Sequence, residues 1–384
     1  MITTSTAFAA CQLVLAARTF GRMLATSAGD PLPLRADPGP DAGTAVAIVP
    51  VLDEATRLEP ALAGLIAQTR ALVQIVVVDG GSRDGTQELV RAYAARDARV
   101  RLVDAAPVPA GWNGKAWNLA CGLAASDPDA DWIVTLDADV RPRPELVASL
   151  LAYAAGGYLD AFSAAPLLEL SGPFEAALHP AMLATLVYRF GLPGNVARDP
   201  SGVQANGQCF IARREALVRT GAFASARASR CDDVTIARTL VRAGAQVGFF
   251  EGARLASVRM YASAGDCWRN WPRSLPMRDA QTPALAAVLA FAEIALVQAL
   301  PLAAVLAVVA CGGDRRSLFF RTNLALAVAR LGVLAGTRRA YASPGPAYWL
   351  AALADLPVAL RLLESTLARD AVWRGRTLAR EVAA

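Results

Sequence analysis

Three short apolar runs that end in carboxylates constrain this chain more than any other feature. Ala45-Val-Ala-Ile-Val-Pro-Val-Leu52 leads into Asp53 and Glu54. Gln74-Ile-Val-Val-Val78 leads into Asp79 and a glycine-rich turn, Gly80 to Gly85. Ile133-Val-Thr-Leu136, after Pro128 and a polar stretch to Asp131, leads into Asp137-Ala-Asp139. Apolar, β-branched runs of this length read as buried strands. Between the first two, Leu58, Leu62, Leu65 and Ile66 recur at helical spacing, which predicts a helix within 55–69. A second helix is expected over 86–95, with Asp84 or Thr86 as its cap. Strand-helix-strand-helix-strand order builds a parallel sheet whose ligands gather at the carboxyl ends of the strands. One rim should therefore carry Asp53 or Glu54, Asp79, and Asp137 with Asp139.

Alternation places residues i and i+2 on one face of a strand, so Asp137 and Asp139 can both point at one hard cation. A pair of carboxylates fills such a cation's shell incompletely and leaves positions for diphosphate oxygens. Acidic residues also end strands in ordinary surface turns; the other acidic strand ends are what favour the ligand reading. A dinucleotide-binding dehydrogenase is excluded in detail. Gly80, Gly81 and Gly85 lack the G-x-G-x-x-G spacing, and an aspartate fills the turn where a diphosphate needs close backbone approach. An acidic rim without its own glycine cradle suits a nucleotide held through a metal.

At this point the chain resembles the family 2 glycosyltransferases, with the GT-A fold, an α/β architecture of a mostly parallel sheet flanked by helices. The matching blocks are Val49-Pro-Val-Leu-Asp-Glu-Ala55, Val78-Asp-Gly-Gly-Ser-Arg-Asp-Gly-Thr86, Leu136-Asp-Ala-Asp-Val140 and Cys231-Asp-Asp-Val234. The resemblance implies that Glu54 and Asp79 serve the nucleotide-sugar, with Asp79 on the nucleobase of a donor that is usually a UDP-sugar. Asp137 and Asp139 would be the family's D-x-D, with Asp139 holding Mn²⁺ or Mg²⁺ on the diphosphate. Asp233 would be the base that takes the acceptor's proton, and Asp232 its supporting carboxylate. Asp53 departs from the commoner asparagine before Glu54.

Lys115 is the one lysine among 38 basic residues. It follows a glycine-containing turn in Gly111-Trp-Asn-Gly-Lys-Ala-Trp117, before a helix expected over 116–125, where a compact point charge can meet phosphate. This block resembles a subset of family 2 enzymes that glycosylate carotenoids or are associated with hopanoid synthesis. Asn206 and Gln208, in Gln204-Ala-Asn-Gly-Gln-Cys209, are candidates for the acceptor side, or else members of a turn and strand with no ligand role.

At 384 residues, with 55% hydrophobic residues and a mean hydropathy of +0.36, the chain is unlike an ordinary soluble enzyme. Between Asp279 and Asp314 the one charged residue is Glu293, so a span is expected over 283–311, kinked at Pro301, with Glu293 facing other helices or a wet cavity. Segments 318–336 and 347–363 are weaker candidates, as spans or interfacial helices. Residues 1–28, which contain Arg18 and Arg22, read as an N-terminal membrane anchor. The expected division is therefore an anchor over 1–28, a catalytic domain over 42–262 and a membrane-associated helical region over 263–384. Cytosolic nucleotide-sugars put the catalytic domain of this multi-pass membrane protein on the cytoplasmic side, where Arg338, Arg339, Arg369, Arg374, Arg376 and Arg380 would also sit.

A net charge of +5 suits an anionic lipid surface and calls for no nucleic acid. The six cysteines lack C-x-x-C spacing and suggest reduced thiols, and His179, the one histidine, reads as local packing or surface. Trp268, Arg269 and Trp271 are candidates for the acceptor side, the tryptophans as headgroup anchors. Their segment does not match the Q-x-x-R-W of processive enzymes, because Asn270 stands where arginine is expected. The reading is an inverting, metal-dependent, non-processive transfer of a sugar to a hydroxyl of a lipophilic acceptor such as a carotenoid, hopanoid or other lipid. A polyprenyl-phosphate acceptor, served by Arg269 or Arg273, is one alternative. A non-catalytic nucleotide-sugar-binding membrane protein is another. A haloacid-dehalogenase-type phosphatase is disfavoured, because its lysine follows the D-x-D whereas Lys115 precedes it.

Overall fold

The computed structural model describes residues 4–26, 29–197, 199–274, 277, 282–367, 370–373 and 376–379. They form two units, one built from 29–168 and 193–259, the other from 1–28, 169–192 and 260–384.

The first unit is a sheet flanked by helices. Its strands are β1 (Ala45–Val51), β2 (Leu72–Asp79), β3 (Val100–Asp104), β4 (Trp132–Leu136), β5 (Val140–Pro142), β6 (Ala161–Ala165), β7 (Leu167–Leu168), β8 (Asn195–Val196), β9 (Cys209–Arg213), β10 (Val247–Glu251) and β11 (Ala256–Val258). Eight form the main sheet in the order β3-β2-β1-β4-β9-β6-β10-β8; β5, β11 and β7 form a small second one. Within the main sheet β9 and β8 run antiparallel to their neighbours and the rest run parallel. Val46, Ile48, Val76, Val78 and Ile133 are fully buried. They pack with Leu119, Ile236 and Leu240 of the helices Gly114–Ala125 and Asp232–Arg242. Strands covered on both faces carry continuous apolar runs, the pattern that made β1, β2 and β4 legible.

The second unit is helical: Thr4–Thr26, Pro173–Phe190, Ala264–Ser274, Ala284–Ala310, Leu318–Thr337 and Asp355–Leu367, followed by the hairpin strands β12 (Asp370–Trp373) and β13 (Arg376–Ala379). Two of its helices, Ala284–Ala310 and Leu318–Ala340, are long and apolar enough to cross a membrane by length and composition, and most of each is not buried within the protein. Pro301 lacks the N–H that would bond Val297, and the preceding turn widens into a π-helical segment, Ile294–Ala299.

Several expectations need correction. Residues 169–192, read in sequence as part of the catalytic domain, belong to the helical unit. The N-terminal helix packs within the helical unit: Ala9, Gln12, Leu15, Ala16, Thr19 and Met23 are buried, and Gln12 shares paired amide hydrogen bonds of 2.9 and 3.1 Å with Asn323. Arg18 and Arg22 of this segment pair with buried Glu293 at 2.8 and 2.6 Å. Segment 347–363 is no continuous helix. A 3₁₀ helix, Pro346–Ala354, gives way to Asp355–Leu367, and buried Asp355 takes a two-pronged bond from Arg330 at 2.8 and 2.9 Å.

Trp271 is buried among Met182, Ile294 and Leu362, which removes it as a headgroup anchor, and Trp268 packs against the same cluster. His179 is buried as well, bonded through Nδ1 to the Tyr341 hydroxyl at 2.9 Å. The first predicted helix starts at Glu59, ahead of Pro60, instead of at Ala55. The second is capped by Gly85 at φ 95°, a left-handed conformation that glycine adopts without strain, and Asp84 instead accepts from the Thr86 N–H. All six cysteines are free thiols. Arg369, Arg374 and Arg380 lie outside the described residues.

Candidate active site

At the carboxyl end of β2, Asp79 is fully buried and pairs in register with Val51 of β1 and Asp104 of β3. Its carboxylate accepts from the Ser82 N–H and hydroxyl, from Gly81 N–H at 3.3 Å and from Gln87 Nε2 at 2.6 Å. The glycine-rich turn is therefore wound around this side chain. Asp53 reaches the same turn from β1, accepting from Arg83 N–H at 2.8 Å. Its φ of 53° lies in the left-handed region, which aspartate and asparagine tolerate better than other side chains that carry a Cβ. That shared tolerance accounts physically for aspartate at a position where asparagine is commoner.

Glu54 is buried beside Arg57, which bonds Glu54 Oε2 through Nε at 2.9 Å and Nη2 at 2.7 Å. The other end of the same guanidinium, Nη1, lies 3.6 Å from Asp139 Oδ2. Arg57 was not singled out in the sequence; the Glu54-x-x-Arg57 spacing, one turn apart, was the available signal.

Lys115 joins the remaining motifs. Its helix starts at Gly114, two residues earlier than predicted, because Asn113 caps it by accepting from Ala116 N–H at 3.0 Å. Asn113 also donates to Ser229 O at 2.8 Å, which ties this helix start to the loop before Cys231. From there Lys115 Nζ reaches Asp137 Oδ1 at 2.6 Å and Asp232 Oδ2 at 3.9 Å. Burial alone would lower the ammonium's pKa, but Asp137, then Asp232 and Asp233, outweigh it and hold the lysine charged well above its usual range.

Asp233 accepts from Gly207 N–H at 2.9 Å, Val234 N–H at 2.8 Å and the Cys231 thiol at 3.2 Å. Burial and neighbouring Asp232 raise its pKa. Gly207 lets Lys115 come close: a Cβ on it would stand 2.7 Å from Lys115 Nζ, displacing the ammonium, and 3.5 Å from Asp233 Cβ. Asn206 and Gln208 bond each other twice at 2.8 Å, shaping the turn that presents Gly207. Asp137 N–H continues the β4–β9 ladder onto Gln208 O at 3.2 Å.

The structure thus brings together Glu54, Lys115, Asp137, Asp139, Asp232, Asp233 and the 206–208 turn, with Asp79 on the adjacent strand end. Trp268, Arg269 and Trp271 belong to the helical unit.

The profile described as Glycosyl transferase family 2 matches residues 46–221. Residues 46–221 thus match the family 2 glycosyltransferases, over a little under half of the chain. Its sheet has the GT-A fold, shared with the mannosyltransferase PcManGT from Pyrobaculum calidifontis, a structure in complex with GDP-Man and Mn²⁺. That likeness covers 93% of this chain and 99% of the other at a TM-score of 0.51 and 20% identity, and it bears on fold alone. A 4,4'-diaponeurosporenoate glycosyltransferase of Staphylococcus haemolyticus is 25% identical over 61% of this chain and 62% of its own length. An undecaprenyl-phosphate 4-deoxy-4-formamido-L-arabinose transferase of Pseudomonas paraeruginosa is 36% identical over 29% of this chain and 32% of its own. The chain thus spans less than two thirds of either curated relative. A glycosyltransferase domain leaves the phosphatase alternative without a basis.

Among the described residues, no group of three or more His, Cys, Asp or Glu is placed to hold a metal unaided. The fit of a divalent cation rests instead on Asp139. Its carboxyl is pushed up to about 7, by burial first and by Asp137 second, with Arg57 opposing. A hard oxygen donor in a crowd of negative charge suits Mn²⁺ or Mg²⁺.

Proposed function

We propose that the domain transfers a sugar from a nucleotide-sugar, a UDP-hexose in the first instance, to a hydroxyl of a lipophilic acceptor, with inversion and in single transfers. One observation carries this reading. Lys115 Nζ lies between Asp137 and Asp232, so the acidic strand end and the Asp232-Asp233 helix start, far apart in sequence, line one site.

Asp139, aided by Asp137, would hold Mn²⁺ or Mg²⁺, which supplies charge to the donor diphosphate. Lys115 adds a second positive charge for the diphosphate as it departs. Asp233 takes the acceptor's hydroxyl proton, the freed oxygen bonds the anomeric carbon, and the diphosphate leaves with the electron pair of the broken bond. A raised pKa, to which Asp232 contributes, makes Asp233 a stronger base than a surface carboxylate, and the Gly207 and Val234 N–H groups orient it. Glu54 contributes by orienting Arg57. Asp79 serves the nucleobase, which would compete with Gln87 for its carboxylate. Asn206 and Gln208 shape the acceptor side.

Exposed apolar side chains, among them Leu285, Val288, Leu306, Leu324 and Val328, crowd the helical unit and support a membrane setting with lipid as neighbour. With the cytoplasm as the source of nucleotide-sugars, the catalytic unit faces that side of a multi-pass chain. The diaponeurosporenoate glycosyltransferase relative favours a carotenoid-like or other terpenoid acceptor. The undecaprenyl-phosphate transferase relative favours a polyprenyl phosphate as the second reading.

Membranes containing the wild-type protein or Asp233→Asn, supplied with UDP- and GDP-sugars and Mn²⁺, distinguish these outcomes. A new glycolipid or glycosylated terpenoid, detected by mass and absent in the variant, is expected. Intact donors alongside metal-dependent nucleotide binding would leave a non-catalytic binding protein instead.

A further inference from the structure

We propose that Arg57 is a donor-diphosphate contact, held on Glu54 and Asp139 until the donor arrives. The inference rests on the nucleotide-sugar reading of the same site. Three features of the guanidinium carry it. One edge is anchored, with Nε and Nη2 both on Glu54 Oε2 at 2.9 and 2.7 Å. The opposite end is held loosely: Nη1 stands 3.6 Å from Asp139 Oδ2, beyond hydrogen-bond length. The side chain is 40% exposed while those of Glu54 and Asp139 are 10% and 18% exposed, so the cation, and not its acidic partners, is the accessible group.

A planar fork with one edge fixed and one end free suits a phosphate oxygen better than a carboxylate it does not quite reach. Asp139 is also the carboxylate that fits a divalent cation, and a cation there competes with Nη1 for the same oxygens. Engaging Asp139 therefore releases Nη1 beside the ligand that brings the diphosphate. The same arrangement keeps positive charge against a crowd of partly buried acids while the site is empty of donor.

Calorimetric titration of the full-length protein in detergent tests this, with UDP and GDP as probes, Mn²⁺ present, and uridine and guanosine as controls. Arg57→Ala should lose roughly tenfold or more in affinity for the diphosphate, the ordinary worth of a hydrogen bond to a charged group. Nucleoside binding should not change. Mn²⁺ alone should bind the variant as tightly as wild type or tighter, because a competing cation is gone. Arg57→Lys, which keeps the charge and loses the fork, should fall between. Undiminished diphosphate affinity in Arg57→Ala overturns the proposal. Weakened Mn²⁺ and nucleoside binding together would make Arg57 a structural brace, which also overturns it. A wild-type protein that binds neither diphosphate with Mn²⁺ removes the nucleotide-sugar reading itself.

Discussion

The sheet unit and the helical unit both bury ionised groups, and they balance them differently. In the helical unit each of these buried acids has its own cationic partner: Glu293 has Arg22, with the half-exposed Arg18 beside it, Asp355 has Arg330, and the neutral amides of Gln12 and Asn323 have each other. In the sheet unit Glu54, Asp137, Asp139, Asp232 and Asp233 crowd around Lys115 and Arg57, and the acids outnumber these two cations. A matched buried pair is complete without a ligand. An acidic excess held at strand ends is costly by itself and is relieved by a cation from outside. Buried charge alone therefore does not mark a site; imbalance at the sheet's carboxyl edge does.

The sharpest test of that contrast is Asp233→Asn. Loss of a general base should lower transfer by about 10²- to 10⁴-fold, with metal-dependent nucleotide binding retained, as read by product mass and calorimetry. The raised pKa adds a pH signature. Asp233 must be ionised to act, so transfer should fall as pH drops through a value above the ordinary carboxylate range. A profile flat down to pH 4 would count against its role.

The helical unit should respond in stability. Asp355→Ala strands Arg330 without its counter-charge and should cost about 3–5 kcal/mol, measured by thermal unfolding in detergent. If nucleotide binding below the melting temperature were lost as strongly, the division of labour between the two units would fail.

His179 gives a third, pH-dependent test. Burial lowers its pKa from 6.5 to about 4. Below 6.5 the unfolded chain binds the proton more readily than the folded one, so stability falls as pH drops from 6.5 towards 4, by about 3 kcal/mol in full. His179→Gln should flatten that slope. The smallest effect is at Asp53. Asp53→Ala should cost about 1–2 kcal/mol for a left-handed conformation, whereas Asp53→Asn should be nearly neutral in stability.

Much of the sheet was legible because β1, β2 and β4 are covered on both faces, and only uninterrupted apolar runs survive there. The acids that follow each run were legible for the same reason, since any charge after such a run stands at the sheet's edge. A turn and strand were legible around Asn206 and Gln208, but not the antiparallel place of β9 between β4 and β6, which delivers Gly207 to Lys115 and Asp233. Arg57 was missed because an arginine one turn after a glutamate looks like any surface pair. The 347–363 segment misled because apolar length was visible while Asp355's partner lay elsewhere in the chain.

The alternation of buried strands and helices, the acidic strand ends and the two long apolar helices could be read along the chain, because burial and periodicity act within short windows. Which charges meet is a property of the folded chain. Whether Glu293 finds Arg22, or Lys115 finds Asp137 and Asp232, depends on contacts between segments remote along the chain. Coulomb energy and desolvation act through space and carry no periodicity for the sequence to display.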